Sequence, residues 1–297
     1  MSDFSYGGQA VIEGVMIRGR DSIAVAVRRP DGEIVVHRNE LPSWTRRWPG
    51  RRLPLMRGVA ALVESMALGI DALLLSANES LPEGEEKLGR GETALAVAVS
   101  VVVAVAVFMV LPTLIVGAAR GWLEAPLWLN LLEGLIRIGF LVGYILLISR
   151  MEDVRRVLEY HGAEHKVIHA YEEAGELTVE EARSKSALHV RCGTSFLLFV
   201  VVVSILLFSF FGWPGIWARI ATRLALLPVI AGVSYEIIKL SGRSSWGPLK
   251  LLVLPGLWLQ RLTTREPSDD QIEVALAALR AVLEAERSRR PQLQLVR

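Results

Sequence analysis

Residues 93–119, TALAVAVSVVVAVAVFMVLPTLIVGAA, decide the class of fold, because no charged side chain occurs between Glu92 and Arg120. A helix of that length crosses the hydrocarbon core of a bilayer, which is roughly 30 Å thick. The composition points the same way, since 52% of the 297 residues are hydrophobic and the mean hydropathy is +0.39. We therefore expect an integral membrane protein, with the lipid bilayer as its first partner.

Three further apolar segments predict membrane helices, at about 127–149, 194–212 and 220–238. Together with 93–119 they form two hairpins, 93–149 and 194–240. Glu133 and Arg137 stand one helical turn apart in the first hairpin, which favours an ion pair between them. The expected fold is mainly α, with about four transmembrane helices, cytoplasmic amphipathic helices and a small N-terminal β unit.

The N-terminal part, residues 1–54, is expected to form a cytoplasmic β-rich unit followed by a basic linker. Strand-like runs at 22–27 and 33–38 flank the turn sequence Arg29-Pro30-Asp31-Gly32. The linker at 41–54, LPSWTRRWPGRRLP, carries four arginines and two tryptophans, which suits an anionic membrane surface. We expect no nucleic-acid partner, because the net charge of the chain is only +2.

Residues 55–92 are expected to hold an amphipathic helix and a charged loop. The apolar run 55–77 is interrupted by Glu64 and Asp71, seven residues apart and therefore near one helix face. This pattern favours a helix that lies in the membrane interface. A membrane helix whose acidic side chains face the protein interior is the alternative.

The C-terminal part, residues 241–297, begins with an apolar run at 247–260 that is too short to span the membrane. Pro255 and Gly256 are expected to break it, which favours a re-entrant or interfacial element. An amphipathic helix follows, with an apolar stripe suited to packing on the cytoplasmic part.

The His-rich segment 150–193 is expected to face the cytoplasm, because Arg150, Arg155, Arg156 and Lys166 follow the second span. The N-terminus has no basic region followed by an apolar run, so it does not resemble a cleavable signal peptide. Both termini are therefore expected on the cytoplasmic side.

One face of a helix over Met151–Glu173 gathers side chains that bind metals, namely His161, Glu164, His165, His169 and Glu172. Two imidazoles one turn apart can hold one metal ion, and the order His161-Gly162-Ala163-Glu164-His165 fits the H-x-x-E-H pattern of some metalloproteases. Glu164 would then act as general base. A polar helix on the membrane surface, with hydrogen-bonded histidines, is the alternative.

A catalytic zinc site has three protein ligands, so a third is needed beside His161 and His165. His189 and Cys192 are the candidates, three residues apart before a membrane span. Cys192 is also explained as a small buried residue at a helix start. Glu13, between apolar neighbours, is a second candidate catalytic carboxylate that requires either a partner such as Arg18 or a metal, unless it faces water. The outer carboxylates expected to support the ligands are Glu13, Glu266, Asp269, Asp270 and Glu273.

Three stretches together carry a resemblance: GGQAVIEGVMIRG at 7–19, YHGAEHKVIHAYE at 160–172 with HVRCGTSF at 189–196, and LTTREPSDDQIEVALAAL at 262–279. The chain resembles the YqhQ-like family of bacterial inner-membrane proteins, whose members are sometimes labelled predicted metal-dependent enzymes. The resemblance implies a bacterial inner-membrane location and a divalent metal, for which zinc is our expectation. The positions it nominates are Gln9, Glu13, His161, Glu164, His165, His189, Cys192, Glu266 and Glu273. Val190 stands where the family commonly has proline.

The sequence supports more than one class of function. The first is a metal-dependent hydrolase with a cytoplasm-facing site of histidine, glutamate and cysteine. The second is a channel, transporter or insertion factor, in which Glu64, Asp71, Glu133 and Arg137 line a polar path. The third is a structural or quality-control factor that has other membrane proteins as partners. Assembly as a homo-oligomer is compatible with all three.

Overall fold

The computed structural model describes residues 6–41, 53–118, 121, 125–173, 175, 177–189, 192–241 and 247–294. The strands in these ranges are β1 (Gly7–Val11), β2 (Gly14–Arg18), β3 (Ser22–Arg28) and β4 (Ile34–Glu40). The helices are α1 (Met56–Glu79), α2 (Arg90–Ala118), α3 (Pro126–Ile148), α4 (Glu152–Glu173), α5 (Val179–Ser184), α6 (Gly193–Ser209), α7 (Ile216–Ser241), α8 (Gly247–Thr263) and α9 (Asp269–Gln294). Most of the predicted basic linker lies outside the described residues.

The strands form one antiparallel sheet in the order β1-β2-β3-β4. β3 and β4 confirm the two predicted strands, and Gly32 in the turn between them has a φ of +90°. β1 and β2 come from the glycine-rich stretch and are joined by the two-residue turn Ile12-Glu13. Gly14 leaves no room for a side chain, because a Cβ there would lie 2.2 Å from the carbonyl oxygen of Ala26.

The two faces of the sheet enter different cores, because successive side chains along a strand point to opposite sides. On one face Val15 and Ile17 pack with apolar side chains of α4 and α9. On the other face Met16 and Val25 pack with Ala72 of α1. The sheet is therefore a middle layer, and segments that are far apart in sequence share its cores.

Four helices are long and apolar enough to cross a membrane: α1, α2, α3 and residues Ile216–Leu240 of α7. Three of them match predicted spans. α6, in the position of the predicted span 194–212, is an apolar helix of 17 residues that ends at Ser209. The chain turns soon afterwards at Gly212, whose φ is +64°. α2 contains a π-helical turn at Ala106–Val110.

α1 has the length and composition of a span, yet its second half packs on the sheet. Leu68 and Leu75 contact the same core as Ala72. Glu64, which is buried, forms an ion pair with Arg18 of β2 at 2.7 Å. The acidic residue that interrupts the apolar run therefore attaches this helix to the sheet.

The break predicted at Pro255 and Gly256 is wrong, because α8 runs without interruption through both residues. Gly256 lies directly against α6, where a Cβ would come 2.6 Å from the hydroxyl oxygen of Ser195. The glycine therefore permits close contact between two helices and does not form a turn. This contact fixes the C-terminal end of α8 near the start of α6.

Candidate metal and catalytic site

Helix α4 positions the histidines, and it confirms the helix predicted from Met151 to Glu173. Glu152 and Asp153 in its first turn favour a helix start at that point. Ala163 and Val167 are fully buried in the core shared with the sheet and α9. Gly162 allows the backbone after α8 to approach, because a Cβ there would lie 2.0 Å from the carbonyl oxygen of Arg265.

Three predicted ligands converge in the structure: His161, His165 and Cys192. One donor atom from each lies within 4.8 Å of the donor atoms of the other two. The Sγ atom of Cys192 is 3.3 Å from Nε2 of His161. The ring centroids of His161 and His165 are 4.5 Å apart. These distances place one imidazole pair and one thiol around a common point.

Both histidines are oriented by backbone carbonyl groups. The Nδ1 atom of His161 is 2.7 Å from the carbonyl oxygen of Thr263, and Nδ1 of His165 is 2.6 Å from that of Ala187. A carbonyl oxygen only accepts, so each Nδ1 carries the proton and donates it. In the neutral rings this leaves the lone pair on Nε2, which is the arrangement found in metal-binding histidines.

Glu164 lies beside these rings in a nearly closed environment, with 4% of its surface exposed. Its Oε2 atom is 3.5 Å from Nε2 of His165. Gly8 of β1 makes room for this carboxylate, because a Cβ there would lie 2.9 Å from Oε1 of Glu164. The glycine in the first motif and the glutamate in the second therefore meet in space.

Cys192 occupies the N-cap position of α6 and is buried. The backbone N–H of Thr194 donates to its Sγ at 3.4 Å, and the hydroxyl of Thr194 is 3.1 Å from the same atom. The thiol therefore lies at the start of α6 and 3.3 Å from an imidazole nitrogen.

Gln260, which no sequence motif predicted, connects the segments around the site. It is fully buried in α8. Its side chain accepts from the backbone N–H of His189 at 2.9 Å and donates to the carbonyl of His189 at 2.8 Å. It also donates to the hydroxyl of Ser195 in α6 at 3.0 Å. One amide thereby joins three segments that meet at Cys192.

Lys166, one of the basic residues on which the predicted cytoplasmic position of this segment rests, is buried. Its ammonium group donates to the carbonyls of Arg183 and Lys185 at 2.9 and 2.8 Å. It also pairs with Glu266 at 2.7 Å. These contacts hold the segment whose Ala187 carbonyl orients His165.

His189 lies beside the group of three donors rather than within it. Its ring centroid is 5.6 Å from that of His165 and 4.6 Å from that of His169. Its Nε2 atom is 3.8 Å from a carboxylate oxygen of Glu172. Burial, and next the charge of His189, hold the pKa of His169 below its usual value. The four rings thus form a row in the order His161, His165, His189 and His169.

Glu13 stands apart from the imidazoles in an ion pair. Both of its oxygens lie 2.5 Å from guanidinium nitrogens of Arg156, and the hydroxyl of Tyr160 donates to it at 3.3 Å. The hydrogen bond to Glu13 raises the pKa of Arg156, and burial raises that of Tyr160. The partner suggested by the sequence, Arg18, pairs with Glu64 instead. Glu13 itself has a φ of 50°, at the turn between β1 and β2.

The other acidic residues expected to support the ligands have different partners. Glu266 pairs with Lys166, Asp269 with Arg183, and Glu273 with Arg28. Backbone carbonyls of Thr263 and Ala187 take the orienting role instead. The predicted carboxylates therefore tie α9 and its preceding loop to α4, α5 and β3. Gln9, from the first motif, lies against Gly69 of α1.

The chain is similar in sequence to proteins of unknown function. Residues 53–285 match the family described as "Protein of unknown function (DUF1385)". The chain is 36% identical over 296 residues to the uncharacterized protein YqhQ of Bacillus subtilis (strain 168), covering 95% of this chain and 93% of that protein. No solved structure matches the chain.

Proposed function

Since the chain belongs to the DUF1385 family, whose function is unknown, we propose from the site itself that it is a membrane-anchored, metal-dependent hydrolase. The observation that supports this is the convergence of His161, His165 and Cys192, with both histidine Nδ1 atoms already engaged. Three protein ligands with one position open for water are typical of catalytic rather than structural zinc sites.

The chemistry of the donors favours zinc as the metal. Two imidazole nitrogens and one thiolate sulfur form a set that zinc accepts readily, whereas magnesium and calcium prefer oxygen ligands. The two carbonyl groups that bind the Nδ1 atoms pre-orient the rings, which lowers the cost of assembling the site. When bound, a zinc ion supplies Lewis acidity that polarises a carbonyl or phosphoryl group and acidifies water.

Glu164 is assigned the role of general base in this proposal. Its carboxylate lies next to His165 and is almost fully buried, so few water molecules compete for it. A carboxylate within hydrogen-bond reach of the reacting water takes up its proton and returns it to the leaving group. Glu13 is not given this role, because Arg156 and Tyr160 already occupy its oxygens.

Metal analysis of the purified full-length protein tests the proposal. We expect about one zinc ion per chain in the wild type and a large loss in the His161→Ala, His165→Ala double variant. His37→Ala serves as the matched control, because this histidine belongs to β4 and pairs with Glu79. Wild-type protein that contains no stoichiometric zinc, manganese or iron would contradict the proposal.

A second candidate is a hydrolase that uses Cys192 as its nucleophile without a metal. It is favoured by the contact of 3.3 Å between the Cys192 thiol and Nε2 of His161, whose Nδ1 is held by a carbonyl. A thiol beside an oriented imidazole is the arrangement that activates a cysteine nucleophile. Alkylation separates the candidates: metal-free wild type that reacts rapidly with iodoacetamide, and His161→Ala protein that reacts slowly, would support the dyad.

A further inference from the structure

A groove opens on the surface of the membrane helices, and its described lining residues do not include those of the histidine and cysteine site. It is lined by α2, α3, α6 and α7 and has a volume of about 380 Å³. An engineered apolar cavity of about 150 Å³ already binds benzene, so a space of this size can hold a hydrocarbon ligand. Three of the four lining helices meet the length and hydropathy of membrane spans. The groove therefore faces hydrocarbon rather than water.

The wall of the groove is apolar apart from a few side chains. Phe108 and Met109 line it from the π-helical turn of α2, and turns of this kind occur often at functional sites. Phe108 also contacts Tyr144 of α3 edge to face, with ring centroids 5.7 Å apart. The hydroxyl of Ser204 is satisfied by the carbonyl of Val201 at 2.7 Å. The lining thus suits an extended hydrocarbon chain.

Among the described residues that line the groove, Arg137 is the charged one. Its guanidinium donates to Glu133 at 2.5 Å and lies 5.4 Å from the centre of the Phe208 ring. Glu133 also accepts from Arg223, so one carboxylate faces two guanidinium groups. Among these three side chains one positive charge is left over. Within a membrane such a charge is costly unless an anion balances it.

Arg137 also fixes the direction in which a ligand would lie. α3 ends at Ile148, shortly before the histidine-bearing helix α4 begins, and α6 begins directly after Cys192. We call the end of the bundle where these two termini lie the site end. Leu197, near that end, lines the far part of the groove. Arg137 is eleven residues before Ile148, which is about 16 Å along the helix axis. An anionic group at Arg137 would therefore have its hydrocarbon chain directed toward the site end.

We propose that this groove binds one acyl chain of an anionic phospholipid, whose phosphate lies against the guanidinium of Arg137. The bilayer supplies acyl chains at the depth where the groove opens. A lipid without net charge, or an apolar molecule without a head group, leaves the excess positive charge of Glu133, Arg137 and Arg223 unbalanced. The groove is separate from the His161 site, so this proposal does not depend on the hydrolase.

Lipid retention tests the groove. The full-length protein is purified in mixed micelles that contain phosphatidylglycerol or phosphatidylcholine, and native mass spectrometry counts the lipids that remain bound. We expect one phosphatidylglycerol per chain, held about tenfold or more in preference to phosphatidylcholine, from a charge-assisted contact. Equal retention of the two lipids would overturn the proposal. So would retention of a free long-chain carboxylate without phosphatidylglycerol.

Paired variants connect the binding to these residues. Val201→Trp fills the groove and is expected to abolish retention, while Leu206→Trp on the same helix is the control, since Leu206 is 60% exposed and lies outside the groove. Arg137→Gln is expected to remove the preference for phosphatidylglycerol, and Arg137→Lys to keep it. Arg223 still neutralises Glu133 in both Arg137 variants, so they test the proposal even if Val201→Trp does not fold. An Arg137→Gln protein that keeps the full preference contradicts the assignment.

Discussion

At the scale of single residues, the site depends on which nitrogen of each imidazole carries the proton. Thr263 and Ala187 accept from the Nδ1 atoms of His161 and His165, so both Nε2 atoms remain available. The sequence predicted the two histidines but not the groups that orient them. A backbone carbonyl has no signature in a sequence, because any residue supplies one.

The two candidates for the third ligand can be separated by single substitutions. Cys192→Ser is expected to lower bound zinc at least about tenfold, because a serine hydroxyl is a much poorer ligand than a thiolate. His189→Ala is expected to keep near wild-type zinc, since its ring lies outside the group of three donors. Zinc content after equilibrium dialysis measures both. Zinc lost in His189→Ala and kept in Cys192→Ser would instead assign the third ligand to His189.

Protonation of His169 gives a pH dependence. Burial and the charge of His189 hold the pKa of His169 below the usual value. At a pH between the lowered pKa and the usual one, His169 therefore binds fewer protons in the folded chain than in the unfolded chain. The stabilisation is then present above about pH 6.5 and is lost as the pH falls through the lowered pKa. Thermal unfolding of wild type and His169→Gln measures this. The wild type should lose more stability on acidification, and identical pH profiles would exclude this role.

At the scale of secondary-structure elements, glycines decide how closely the elements approach. Gly8 accommodates Glu164, Gly162 accommodates the chain after α8, and Gly256 accommodates Ser195. Each is a contact between segments that are distant in sequence. The break predicted at Gly256 was wrong for this reason. In a sequence, a glycine that permits close packing cannot be distinguished from one that ends a helix.

Gly162→Ala tests one of these contacts. Its Cβ would meet the carbonyl oxygen of Arg265 at 2.0 Å, so α4 must move away from the chain that carries Thr263. We expect a loss of about 1–3 kcal/mol in the free energy of unfolding, as for other overpacked sites, and weaker zinc binding. Gly139→Ala in α3 is the control, because no described atom beyond the helix's own nearby backbone lies within 4 Å of its added Cβ. Equal unfolding midpoints for the two variants would show that α4 tolerates the contact.

At the scale of the whole molecule, a unit of sheet and helices is attached to a bundle of membrane helices. α9, the last described helix, packs with the sheet and α4 in one core. Glu64 contacts the sheet through Arg18, whereas Glu133 contacts Arg137 and α7. Glu64 and Glu133, both predicted to line one polar path, thus form ion pairs in two different parts of the molecule. A transport or insertion function remains a prediction.

Leu279 of α9 tests the dependence of the site on this core. It is fully buried there, so Leu279→Ala is expected to cost about 2–5 kcal/mol in the free energy of unfolding. Because the same core holds α4, zinc affinity should fall as well. Leu147→Ala, at a position in α3 that is 66% exposed, is the control. Denaturant unfolding in micelles, followed by zinc titration, measures both effects. Unchanged zinc affinity in a destabilised variant would show that the site is held independently.

The sequence by itself determined the membrane class, the helix that carries the histidines and the strands β3 and β4. These depend on local properties: apolar length, helical periodicity and turn residues. Only the tertiary structure decided that Cys192 rather than His189 joins His161 and His165, that Arg156 binds Glu13, and that Gln260 joins three segments. Such contacts join residues far apart in the chain, and their geometry is set by packing, which no short stretch of sequence encodes.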